Sequence, residues 1–143
     1  MSDKENSLIV DLDRDPFAPE GLTVESHQKG GQFDLTDISE LPLYLSKKQK
    51  EGQGLIAGSD LWEELKSKKV LNANALDYLL AHQNVIPYLW RFKYVFFWGT
   101  IYCNSDGLLC VRFLIWCGSM WSWNHRLLDS FLDPCEPAAL ASF

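Results

Sequence analysis

No apolar run in this chain approaches bilayer length. The longest, Tyr94 to Ile101, falls far short of the roughly 20 residues a spanning helix needs. Residues 1–15 are acidic and hold no apolar core of signal-peptide length, so a soluble, reducing, cytoplasmic setting is the expectation. There is no C-x2-C pair. Cys103, Cys110, Cys117 and Cys135 are spaced C-x6-C-x6-C-x17-C, whereas zinc sites usually take two close ligands from one turn. The thiols read instead as small hydrophobes. Gly30-Gly31 and Gly52-x-Gly54 lack the preceding strand and following helix of a phosphate loop. No nucleophile elbow, H-E-x-x-H or EF-hand loop occurs. The expectation is no metal, no cofactor and no catalytic residue.

Basic charge is also scarce. Lys and Arg number 13 against 19 Asp and Glu, for a net charge of −6. Residues 1–65 carry 14 acidic and 6 basic side chains, while residues 66–143 carry 5 and 7. An acidic leader on a near-neutral, apolar second half lacks the basic face that phosphates require, which excludes nucleic acid as a partner. The short lysine runs at 47–50 and 66–69 read as solvated helix ends and loops.

What the chain has is aromatic side chains: six Trp, eight Phe and five Tyr in 143 residues. Residues 1–32 mix acids with Pro16, Pro19, Gly21, Gly30 and Gly31 and read as a mostly irregular segment. A single domain over 33–143 follows. Pro42 opens a helix over about 42–51. Ser59 caps a second over 60–67, with Leu61, Trp62 and Leu65 as its apolar stripe. Asn74 caps a third over 74–84, buried through Leu76, Leu79 and Leu80 and ended by Pro87. Three strands follow over about 94–103, 108–117 and 120–127. The turns Asn104-Ser-Asp-Gly107 and Gly118-Ser119 join them as a meander. Residues 133–137 read as a loop and 138–143 as a helical turn.

The turns dictate which side chains share a face. Asn104 opposite Leu108 sets Thr100 against Arg112 and Trp98 against Leu114. Cys117 opposite Met120 sets Trp116 against Trp121 and Leu114 against Trp123. One face then carries Val95, Phe97, Ile101, Val111, Phe113 and Ile115, the expected seat of the helices. The other carries Phe96, Trp98, Thr100, Tyr102, Arg112, Leu114, Trp116, Trp121, Trp123 and His125. In this register Cys103 and Cys110 point to opposite faces.

Three readings of the tryptophan face stay open. It is a second core layer whose indole N–H groups find carbonyl partners. Or it is a contact surface for a protein partner or a second copy, since Trp, Tyr and Arg dominate interface hot spots. Or it stacks a small ligand such as a sugar or nucleobase, with Arg112, Tyr102 and His125 as polar handles. A catalytic alternative uses His125 as a general base in a small hydrolase or transferase. Asp77, Asp106, Asp129 and Asp133 each have a sufficient structural role at a helix start, turn or loop.

The segments Val70-Leu-Asn-Ala-Asn-Ala-Leu-Asp-Tyr-Leu-Leu-Ala-His82, Val95-Phe-Phe-Trp-Gly-Thr-Ile-Tyr102, Ser105-Asp-Gly107 and Val111-Arg112 resemble those of a family of small uncharacterised bacterial proteins frequent in uncultured, small-genome bacteria. The likeness extends upstream through 13–21, 27–31 and 43–50. It implies one continuous domain and brings no activity or catalytic residue. The chain departs from the family at Cys103, where members carry Arg, near Cys110, where they carry Tyr, and at Cys117-Gly118, where they have Asp-Gly. The resemblance therefore gives those positions no role.

The expected fold is α+β, with short N-terminal helices on one face of a C-terminal three-stranded antiparallel meander. The expected function is a non-enzymatic binding or protein-interaction module. Its face is formed by Trp98, Tyr102, Arg112, Trp116, Trp121, Trp123 and His125. The expected partner is a protein or a second copy, with a stacking ligand less favoured and neither nucleic acid nor membrane involved. A purely structural aromatic core is a further alternative.

Overall fold

The computed structural model describes residues 8–142. The expectations for residues 1–7, and for Phe143 in the C-terminal turn, lie outside the described residues. The two hairpin turns form as their chemistry dictates. Asn104 Oδ1 accepts from the N–H groups of Asp106 and Leu108, both at 2.9 Å. Gly107 takes the left-handed conformation there, with φ +82°. In the second turn Cys117 N–H donates to Met120 O at 2.9 Å. Gly118 has φ +89°, and among the described residues no non-glycine has positive φ. The turn is therefore type II′, whose twist matches the flanking strands. These turns join β7 (Thr100–Asn104), β8 (Leu109–Trp116) and β9 (Trp121–Leu127).

The expected three-stranded meander is only part of the sheet, and the fold class is corrected accordingly. A mixed seven-stranded sheet is present, beside two two-stranded sheets and three α-helices among the described residues. The first small sheet pairs β1 (Ile9–Asp11) with β3 (Gln32–Asp34). In the large sheet, β2 (Leu22–His27) pairs antiparallel with β7. β6 (Val95–Phe96) pairs with β8. β11 (Ala138–Ala139) lies parallel to β6 and antiparallel to β4 (Leu43–Tyr44). The second small sheet pairs β5 (Ile56–Ala57) with β10 (Phe131–Leu132). Most of the added strands have two or three residues, too short to show a period of two in the sequence. For the same reason the expected helical turn at 138–143 gives way to β11, whose backbone is shared between two neighbours.

The strand expected over 94–103 is broken at Phe97–Gly99. Phe96 pairs with Phe113, while Tyr102 pairs with Cys110, a register that places Thr100 opposite Arg112. Three residues are thus inserted between adjacent rungs. An odd insertion reverses the faces upstream of it. Phe96 and Trp98 join Ile101, Val111 and Phe113, while Val95 and Phe97 join Leu114 and Trp121. The break admits the incoming chain at 70–72. Gly99 N–H donates to Leu71 O at 2.9 Å. A Cβ at Gly99 would lie 2.8 Å from Asn72 Cα, so only glycine fits.

That crossing decides the layers. α1 is confined to Lys47–Lys50, capped by Ser46 with Gln49 completing a capping box, so the expected start at Pro42 moves downstream. α2 (Gly58–Leu65) begins after Ala57 rather than at Ser59. It buries Leu61 and Leu65 against Phe96, Trp98, Val111 and Phe113. α3 (Ala73–Ala81) is capped by Asn72 rather than Asn74. It buries Ala75, Leu76 and Leu79 against Val95, Phe97, Leu114 and Trp121. The helices therefore cover both faces. The leucine-rich helix sits on the tryptophan face, not opposite it, because the 66–72 linker changes sides beside the strand break.

Candidate functional site

The expected tryptophan face divides into three parts. At its centre, Arg112 on β8 points into the space under α3 and is 1% exposed. Its terminal nitrogens donate to both Asp77 oxygens, at 3.0 and 2.9 Å. Asp77, on α3, keeps 31% of its side chain accessible. The guanidinium also donates to the Tyr102 hydroxyl at 3.4 Å and lies 4.2 Å from the Trp123 ring centroid. Tyr102 in turn donates to Phe17 O at 2.8 Å. Burial opposes the Arg112 charge, but Asp77 and Tyr102 outweigh it and raise its pKa. Burial, partly offset by Arg112, raises that of Tyr102. This constellation pins α3 and the Phe17 loop to the sheet. The planar fork is already filled by a carboxylate, the geometry Arg suits best, so Arg112 offers no handle to a ligand.

The second part is the Trp116–Trp121 pair. The register matches the expected one: Trp116 opposite Trp121, Leu114 opposite Trp123, Arg112 opposite His125. The Trp116 and Trp121 ring centroids are 5.3 Å apart, edge to face. Trp121 is buried under α3 and Trp116 is half-buried. Trp98 is the third part. The strand break puts it on the opposite face, buried beside Ile101 and Val111, and its indole N–H has no partner. Trp123 is half-buried over Arg112. His125 is exposed at the end of the row, its ring tilted 6.5 Å from Trp123.

The β9 edge is partly closed to strand addition. The bonds Cys117 N to Met120 O and Leu128 N to Leu109 O mean that Trp121, Trp123, His125 and Leu127 aim their backbone groups away from β8. Gln83 mimics a strand at Trp121: Oε1 accepts its N–H at 3.0 Å and Nε2 donates to its carbonyl at 3.2 Å. Asn124 Oδ1 takes the His125 N–H at 2.8 Å. Ser130 N–H donates to the Leu127 carbonyl at 3.1 Å. Such caps blunt an edge.

The exposed aromatic surface lies elsewhere. After Pro87, a 3-10 turn over Tyr88–Phe92 buries Trp90 in the core. It leaves Tyr88 62%, Leu89 67% and Phe92 64% exposed. Phe92 meets Tyr88 edge-on at 5.7 Å. The Arg91 guanidinium lies 4.9 Å from the Tyr88 centroid and 4.0 Å from that of Trp116. The result is a ladder, Phe92–Tyr88–Arg91–Trp116. Beside it a groove of about 500 Å³ is lined by Leu41, Leu43, Pro87, Leu89 and Lys93. Sequence reasoning named only Trp116 here. All but Tyr94 of the run Tyr-Leu-Trp-Arg-Phe-Lys-Tyr at 88–94 fell between an expected helix and an expected strand. Its signal was available: five apolar or aromatic side chains interleaved with two cations cannot all face one core.

A second cavity, about 530 Å³, lies between the N-terminal strands and α3, lined by Ile9, Asp11, Arg14, Phe17, Asn74, Asp77 and Tyr78 among others. Among the described residues no group of three or more His, Cys, Asp or Glu could hold a metal ion. No helix there is long and apolar enough to cross a membrane. No family model, curated protein or solved structure matches the chain.

Proposed function

We propose that this protein is a cytoplasmic, non-enzymatic interaction module whose docking surface is the Phe92–Tyr88–Arg91–Trp116 ladder with Leu89. The observation that carries the reading is the contiguous exposure of Tyr88, Leu89 and Phe92 beside a half-buried tryptophan. Exposed apolar patches on a folded surface mark contact sites, and Tyr, Trp and Arg are the side chains that anchor them. The ladder's mutual stacking holds these side chains in place before a partner arrives, which lowers the entropic cost of binding. Trp98, Trp121, Tyr102 and Arg112 support the fold beneath this surface. Trp123 and His125 form its far margin. The catalytic alternative finds less support, because His125 lies on the exposed end of an edge strand with Arg112 already committed to Asp77.

Site-specific photocrosslinking in the source cells tests the proposal. A photoreactive phenylalanine analogue at Phe92 should give a discrete adduct that Leu89→Ser abolishes. The same group at Ser105, on the distant hairpin turn, should give none. Adducts of equal yield from both positions, or an adduct indifferent to Leu89→Ser, would end the reading.

A further inference from the structure

The chemistry of the partner follows from how the two cations of this surface are held. The Arg91 guanidinium lies against the rings of Tyr88 and Trp116. Its N–H fork, the part that matches a carboxylate, meets none among the described residues. Lys93 lines the adjoining groove. The ion pairs among the described residues are Lys48–Asp60, Lys66–Glu63, Arg112–Asp77 and Arg126–Glu136. Lys93 in the groove, and Arg91 against the groove-lining Tyr88, thus have no carboxylate partner among the described residues, on a chain whose net charge is −6.

We infer that the groove takes an extended acidic peptide segment of a partner protein. A large apolar side chain seats among Leu41, Leu43, Pro87 and Leu89, and a neighbouring Asp or Glu lies on the Arg91 fork within reach of Lys93. This inference rests on the interaction reading above and adds the partner's charge and shape. The trough is concave, with walls from two chain segments, 39–43 and 87–93. That shape suits an inserted side chain.

The experiment uses the intact chain, panned against phage-displayed random dodecapeptides. The enriched peptide is then synthesised with a fluorescent label and its affinity read by anisotropy. The enriched set should place Asp or Glu within three positions of Leu, Ile, Phe or Met. Arg91→Gln and Leu89→Ser should each weaken binding about tenfold or more, with unchanged circular dichroism. Added salt should weaken it further. Loss on Leu89→Ser with no change on Arg91→Gln, or a consensus without acids, overturns the acidic peptide and leaves the docking surface standing. No enrichment, or peptides indifferent to Leu89→Ser, overturns both. Binding of phosphatidylglycerol vesicles that Leu89→Ser removes overturns the peptide in favour of a lipid surface. Self-association in sedimentation velocity that the same substitution removes does so in favour of a second copy.

Discussion

Two arginines in this molecule lie against tryptophan, and they do opposite things. Arg112 sits 4.2 Å from the Trp123 ring and Arg91 sits 4.0 Å from that of Trp116. The ring contact is the same. The in-plane donors differ: those of Arg112 close on Asp77, and those of Arg91 face no carboxylate of the described chain. Composition cannot separate the two cases. The difference is whether a helix lies overhead carrying an acid at the right turn. Where α3 covers the sheet, arginine and aromatics make a core with a bound charge. Beyond its C-terminal end, similar chemistry stands in water.

The comparison can be broken from its buried side first. Trp121→Ala removes a ring sealed between α3 and the sheet and should cost about 3–5 kcal/mol in urea unfolding. If Trp121→Ala instead leaves stability intact, α3 does not cover this face. Asp77→Ala leaves Arg112 buried without its counter-charge. Because Asp77 is partly solvated, the lower part of the usual range applies, about 3 kcal/mol. An Asp77→Leu, Arg112→Met double variant should regain most of it, which would identify the pair as an anchor and not a site. Gln83→Ala should cost about 1 kcal/mol and expose the Trp121 backbone, read as faster amide exchange at that residue.

Alkaline pH probes the same side more gently. Burial raises the Tyr102 pKa above its ordinary value of 10.0. Burial and the bond to Glu64 push Tyr44 up to about 12. In both cases the folded state keeps a proton that the unfolded state has lost. Their contribution is whole below pH 10 and is lost as pH rises through the folded values. Stability should therefore fall with rising pH in that window, and Tyr102→Phe or Tyr44→Phe should each flatten the slope. On the exposed side, Arg91→Ala should leave that slope unchanged and shift stability by no more than about 1 kcal/mol. A larger loss would make the ladder a structural element instead of a docking surface.

Much of the sheet's centre was legible locally. Asn104 through Gly107 and Gly118-Ser119 carry their turn types in their own conformational preferences. The β8–β9 register, and the shared face of Arg112, Trp116, Trp121 and Trp123, follow from those turns alone. The position of Trp98 was not legible. Nothing near Gly99 in the sequence said that Asn72 would be its neighbour, and the three-residue insertion turns on that contact. The ladder at 88–94 was half legible: its side chains are evident, but their exposure depends on where the core ends.

The chain by itself thus determined the hairpins, the alternation along β8 and β9, and the stock of aromatic and cationic side chains, because each is a matter of residues within a few positions of one another. Only the tertiary structure decided which face α3 would cover, which arginine would meet a carboxylate, and which rings would stay in water. Those outcomes depend on contacts between residues tens of positions apart, such as Asp77 with Arg112 and Asn72 with Gly99, which no local preference encodes.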